Sequence, residues 1–284
     1  MYYKKDYILQ QIIKIFSKHN IKIPIKFIQD VFDNYDENLP FHNIVHAFEV
    51  LNMTHKLINI VQTKRKIFDK CDITALLISA LCHDINHKGK TNNTIKTEST
   101  SSLKNLFMID EHQAIDFISR SNSYDNIQDI GSDESFNEET HIKNTLCIVK
   151  VYKNILFSKN TPWNKIEQLI TSFILCTDLA LHNKYISQFN INNKYSLGNL
   201  IIKIADISHP LQEFGIHSYW TLKIKEEQKT FNDFKSLKDI AQDTLMFINM
   251  FLNPLILLFK EHFEMKHYIK NLMTNINIWK SYMI

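Results

Sequence analysis

Apolar residues recur along the chain at spacings of three and four. Ile8, Ile12, Ile15 and Phe16 form one such stripe within residues 5–19, the mark of an amphipathic helix with one face turned to a core. The same period predicts helices near 24–34, 43–61, 72–84, 103–119, 141–157, 163–181, 195–206, 212–230, 237–259 and 261–281. Apolar–polar alternation between turn signals, the signature of strands, does not occur. The pattern therefore predicts an all-α fold: a compact, multi-helix single domain over residues 1–284. Two stretches interrupt it. Residues 88–102 form a polar connection, and residues 120–140 (RSNSYDNIQDIGSDESFNEET) hold too little apolar surface to offset the entropy of ordering, which predicts a mobile polar insertion.

Composition narrows the function. The chain has 4 glycines and 5 prolines, and the glycines at 89, 131, 198 and 215 cannot build a GxGxxG or P-loop phosphate cradle. Net charge is +3 and the longest basic run is Lys64-Arg65-Lys66, so no electrostatic footprint for nucleic acid is present. The four cysteines (71, 82, 147 and 176) form no CxxC pair, which suits reduced thiols in a cytoplasmic protein. The apolar runs 73–82 and 255–259 fall short of the ~20 residues that span a bilayer, and the N-terminus lacks a signal-peptide pattern. The expectation is a cytoplasmic chain with no membrane segment.

Histidine and aspartate cluster at the ends of apolar segments. FHNIVH (41–46) spaces His42 and His46 at i, i+4, about 40° apart on one helical face. CHDINH (82–87) puts His83 and Asp84 at the deep end of ITALLISAL, with His87 four residues after His83. Imidazole and carboxylate in an apolar setting are costly unless paired or bound to a metal, and together they suit zinc and other divalent ions. KIADISHP places Asp206 after another apolar run, where it could equally cap the next helix. LCTDLALH spaces Asp178 and His182 at i, i+4. Any one of these elements has an ordinary structural explanation; their joint occurrence is far more specific.

In this order and spacing the chain resembles the catalytic domain of class I 3′,5′-cyclic-nucleotide phosphodiesterases. The family's YHNxxHAxxV, HDxxHPGxxN, TDxxxH and ADxSxP are similar to FHNIVHAFEV, HDINHKGKTN, TDLALH and ADISHP here. HSYWTLKIKEEQKTFND (217–233) and NINIWKSYMI (275–284) extend the resemblance over roughly residues 20–284. The resemblance implies metal-dependent hydrolysis of a cyclic nucleotide, cAMP and/or cGMP, to the 5′-monophosphate. It implies two divalent ions, one zinc and one magnesium or manganese, with His46, His83, Asp84 and Asp206 as protein ligands. It implies His42 as the general acid, His87 beside the reacting centre, and Asp178 bordering the second ion.

The motifs also depart from the family. Asn86 and Lys88 replace an Asp and a Pro, and Phe41 replaces a Tyr. The ExHH element is poorly matched by IDEHQA (109–114), where Asp110 or Glu111 stands in for its Glu. At the nucleobase pocket, counting back from Pro254 puts Phe247 at the family's stacking Phe and Thr244 at its purine-binding Gln. Gln242 lies about 140° around the helix from Phe247, whereas Thr244 lies about 60° away, so Thr244 is expected to face the base unless a bulge turns Gln242 inward. Two alternative functions stay open: an HD-type nucleotide phosphohydrolase, and a degenerate phosphodiesterase fold serving as a binding module.

Overall fold

A computed structural model describes residues 3–92, 94–95, 135–228 and 236–284. Among them there is no strand. The helices are α1 (Lys5–Lys18), α2 (Ile25–Phe32), α3 (Ile44–Lys64), α4 (Lys70–Cys82), α5 (Phe136–Leu156), α6 (Trp163–Leu175), α7 (His182–Ser187), α8 (Lys194–Asp206), α9 (Phe214–Glu227), α10 (Leu237–Phe247), α11 (Asn253–Lys260) and α12 (Lys266–Ser281).

The centre of the fold is α4, which α3, α6 and α8 surround. Its residues from Thr74 to Cys82 are buried all round, as expected for a helix whose sequence is apolar on every face. Asp69 and Asp72 close its N-terminus as a capping box, and Lys194 neutralises the buried Asp72 at 2.7 Å. Side-chain caps also start α3 and α8: Asn43 Oδ1 accepts from the Val45 and His46 N–H groups, and Asn193 accepts from those of Tyr195 and Ser196. Where α8 crosses α6, Gly198 lets the helices meet. A Cβ there would lie 2.4 Å from Phe173 Cε1.

Several predicted bounds move, for identifiable reasons. The helix expected over 141–157 begins at Phe136, inside the stretch read as a polar insertion. Its start is held by polar bonds rather than apolar area: the Asn137 N–H donates to Asn92 Oδ1 at 2.8 Å, and Asn137 Nδ2 donates to Lys90 O at 3.0 Å. Residues 120–134 of that stretch lie outside the described residues, as do the helix expected over 103–119 and both Asp110 and Glu111. The helix expected over 163–181 stops at Leu175, and a turn leads into the short α7. Between α10 and α11 the helix continues through a π-helical turn, Ile248–Leu252, which eases the backbone past Pro254, a residue with no N–H of its own.

Leu237–Lys260 thus forms one helix of 24 residues that contains an 18-residue window of mean hydropathy 1.3, long and apolar enough by length and composition to cross a bilayer. Uninterrupted apolar runs do not reveal this stretch, because Asn249, Asn253 and Pro254 break it. In the fold, Ile248, Leu252, Leu255 and Phe259 of this helix are buried in the core.

Candidate active site

His83 follows the last residue of α4, so the apolar helix delivers His83 and Asp84 into the interior. His83 Nδ1 lies 3.0 Å from Ala80 O, which assigns a ring proton to Nδ1 and makes Nε2 the nitrogen that faces the carboxylates. His46, in the first turn of α3, and Asp206, the last residue of α8, complete the group. His83 Nε2 lies 2.9 Å from Asp84 Oδ2 and 3.2 Å from Asp206 Oδ1. His46 Nε2 lies 3.4 Å from Asp84 Oδ2 and 3.3 Å from Asp206 Oδ1. All four ligand atoms are within 4.8 Å of one another.

The charge balance of this group suits a cation. Burial opposes charge on His83, but Asp84 and Asp206 outweigh it and raise the imidazole well above its ordinary value. For His46 burial prevails and the ring is held low. Asp84 Oδ2 is buried with no hydrogen-bond partner. Two imidazole nitrogens and two carboxylates around a buried, unsatisfied oxygen fit a divalent ion, and four protein ligands of this hardness are the set zinc or a similar metal takes.

Next to the cluster stands His42. The spacing had placed it on one helical face with His46, but Asn43 is the cap of α3 and His42 precedes the helix. What orients His42 is Glu227, the last residue of α9. Glu227 Oε1 bonds His42 Nδ1, and Oε2 accepts the backbone N–H groups of Phe41 at 2.8 Å and His42 at 2.9 Å. Burial works against a charged His42, yet Asp84, Glu227 and Asp206 together raise its pKa. Glu227 is held down at about 2: its burial would raise it, and the His42 and backbone hydrogen bonds overcome that.

His87 stacks on His42 with ring centroids 3.8 Å apart. The turn that returns it passes through Asn86 at φ 64°, a left-handed conformation that Asn tolerates, and the Asn86 N–H donates to Asn34 O at 2.8 Å. Burial and the charge of His42 push His87 down to about 3. Its Nδ1 accepts from the Gly89 N–H at 3.0 Å. His42, His87 and Glu227 also offer ligand atoms within 4.8 Å of each other, but there the carboxylate is already committed to His42.

Three residues that the sequence reading did not single out adjoin the site. His141 approaches Asp84 Oδ1 at 4.0 Å and bonds Ile85 O through Nδ1 at 2.6 Å. Its Nε2 is buried without a partner. Glu138, one turn earlier, is raised to about 7 by burial and then by the charges of Asp178 and Asp84. The third is Glu227. A Glu-x-x-His spacing at 138–141 was the available signal for the first two. Asp178 is buried, accepting from Ser135 Oγ at 2.5 Å and the Ala180 N–H at 2.8 Å.

The expected base-pocket residues lie on α10. Thr244 is buried and its hydroxyl donates to Ile240 O at 2.7 Å. Phe247 is half-buried against Phe251, with centroids 5.2 Å apart. Gln242 is exposed, which corrects the expectation that it could face the pocket: the π turn begins at Ile248, beyond both positions, and leaves their relative orientation helical.

The matched family model is that of 3′5′-cyclic nucleotide phosphodiesterases, aligned over residues 41–272. Among similar proteins, a cGMP-specific 3′,5′-cyclic phosphodiesterase alpha of Plasmodium falciparum is 26% identical over 99% of this chain and 30% of its own length. A 3′,5′-cyclic-nucleotide phosphodiesterase regA of Dictyostelium discoideum is 25% identical over 79% of this chain and 28% of its own. The chain thus spans less than a third of these curated relatives. The phosphodiesterase domain of a RhoPDE fusion protein from the choanoflagellate Salpingoeca rosetta shares the fold, with a TM-score of 0.78 at 21% identity, covering 99% of this chain and 92% of that one. With the match running through α3, α4, α8 and α9, which carry or directly flank every residue of the buried cluster and its His–Glu neighbour, the chain belongs to the 3′,5′-cyclic nucleotide phosphodiesterase family.

Proposed function

We propose that this chain hydrolyses a 3′,5′-cyclic nucleotide to the nucleoside 5′-monophosphate. The observation that carries the reading is the convergence of His46, His83, Asp84 and Asp206 beside a histidine whose Nδ1 is held by a carboxylate. We assign zinc to that four-residue set and magnesium or manganese to a second position bordered by Asp84, Glu138 and Asp178. When bound, such ions lower the pKa of water and neutralise phosphoryl charge.

The chain's own residues supply the proton and its direction. Glu227 fixes the His42 ring so that Nε2 is the nitrogen free to face a substrate, and together with Asp84 it raises the ring's pKa, which favours the protonated form. As water attacks phosphorus and the P–O3′ bond breaks, His42 Nε2 gives its proton to the leaving O3′. His87, held neutral, stacks on His42 without competing for the proton. Thr244 and Phe247 are the residues we assign to the base.

The test is incubation of zinc-loaded chain with cAMP and with cGMP in Mg²⁺ or Mn²⁺, followed by separation of the nucleotides. Formation of a 5′-monophosphate from either supports the reading; no turnover of either overturns it. Release of inorganic phosphate from a nucleoside monophosphate would indicate an HD-type phosphohydrolase instead. Nucleotide binding by a metal-free chain without turnover would indicate a binding module.

A further inference from the structure

α6 stops at Leu175, although neither glycine nor proline occurs between Cys176 and His182, so no helix-breaking residue ends it. Had the helix continued, the Ala180 N–H would bond Cys176 O and the His182 N–H would bond Asp178 O, each four residues back. Instead the Ala180 N–H donates to Asp178 Oδ1 at 2.8 Å, and the His182 N–H donates to Leu179 O at 3.1 Å. The two carbonyls these donors would have satisfied are both taken by one side chain. Lys203 Nζ donates to Cys176 O at 2.6 Å and to Asp178 O at 3.4 Å.

Lys203 lies on α8, three residues before Asp206, and is only 3% exposed. An ammonium is costly to bury unless it is hydrogen-bonded. Here it meets the carbonyl end of α6, where the helix dipole favours a cation, and stands over the Tyr185 ring at 5.4 Å, a second favourable setting. Asp178 is thus held at both ends. Lys203 takes its carbonyl, while its carboxylate accepts from the Ala180 N–H and, at 2.5 Å, from Ser135 Oγ before α5.

Resting on the assignment of a second divalent ion beside Asp84, Glu138 and Asp178, we propose that Lys203 is a positioning residue for that ion. By occupying the carbonyls of Cys176 and Asp178 it keeps residues 176–181 out of α6, and the turn so held aims the Asp178 carboxylate. It acts through Asp178 and not as a ligand, since an ammonium has no lone pair to give a metal. Without it, residues 176–181 interconvert between this turn and a further helical turn, and the carboxylate loses its fixed direction. The ammonium's charge, which repels a cation, works in the opposite sense, so the sign of the change in metal affinity separates the two effects.

The test titrates the chain, loaded with one equivalent of zinc, with Mn²⁺ in the absence of nucleotide and reads free Mn²⁺ by electron paramagnetic resonance. In Lys203→Met the Kd for Mn²⁺ should rise about tenfold or more, the effect of losing an outer partner of a metal site, while elemental analysis finds the zinc retained. Lys203→Gln keeps N–H donors on a shorter stem and drops the charge; its Kd should fall between those of wild type and Lys203→Met. It also carries the test should Lys203→Met fail to fold. In an Asp178→Asn background Lys203→Met should change the Kd by less than about twofold, because its effect passes through that carboxylate. Unchanged Mn²⁺ affinity in either variant, or the tighter binding that relief of charge repulsion would give, overturns the proposal. So does a full Lys203→Met penalty in the Asp178→Asn background, or a wild-type chain that binds no Mn²⁺. A chain with the expected affinities that hydrolyses neither cAMP nor cGMP overturns the phosphodiesterase reading alone and leaves the role of Lys203 standing.

Discussion

Glu227→Gln isolates the carboxylate's hold on His42. In the wild-type site three N–H groups meet two carboxylate oxygens: Phe41 and His42 backbone donors on Oε2, and His42 Nδ1 on Oε1. Glutamine has one acceptor oxygen, which the two backbone donors claim, and its NH₂ then faces His42 Nδ1. An imidazolium cannot keep a proton there against another donor. Losing a hydrogen bond to a charged partner costs about 1.5–3 kcal/mol, equivalent to about 1–2 pKa units at 1.36 kcal/mol each. The sign follows from the role. His42 acts protonated and its pKa is raised, so activity is present below that pKa and lost as pH rises through it. An ion held by Asp84 and Asp206 offsets their pull on His42, whereas the Glu227 contribution persists. The basic limb of kcat/KM against pH should therefore move to lower pH by about 1–2 units in the variant. A limb that stays in place while the rate falls evenly at every pH would refute the assignment of His42 as the Glu227-held acid.

Asp206→Ala removes one of two carboxylates from the four-residue set; elemental analysis should find the bound metal lost, with activity down at least about a hundredfold as its charge stabilisation goes. Gly198→Ala places a methyl 2.4 Å from Phe173 Cε1 at a fully buried ring. Overpacking of about 1–3 kcal/mol exceeds the helix-propensity gain of about 1 kcal/mol, so calorimetry should show a lower Tm. Lys203→Met deletes the donor 2.6 Å from Cys176 O. Leaving that carbonyl buried and unpaired costs about 1–3 kcal/mol, which should appear as a lower Tm together with faster amide exchange at Ala180.

The all-α class and the four clustered residues were legible because each leaves a mark within its own segment. His83 and Asp84 end an apolar helix where unpaired polarity is expensive, and Asp206 does the same after LIIKIA. Glu227 leaves no such mark. It lies among charged residues in KIKEEQ, and its partner His42 is 185 positions away, so only the packing of α9 against the start of α3 reveals it. Glu138 was hidden for a different reason: an estimate of apolar content asks whether a segment can bury enough surface, whereas the start of α5 is ordered by amides of Asn92 and Asn137 and by Ser135 on Asp178. The same limit applies to His209. Read alone, ADISHP offers a histidine that could donate or accept; its Nδ1 lies 2.9 Å from His217 Nδ1, and Trp279, which cannot accept, donates to His217 Nε2 at 2.7 Å and so leaves the His217 proton on Nδ1, facing His209. Which atom of a site residue carries the proton is thus a property of the whole hydrogen-bond chain, and a reading confined to the motif could not have assigned it.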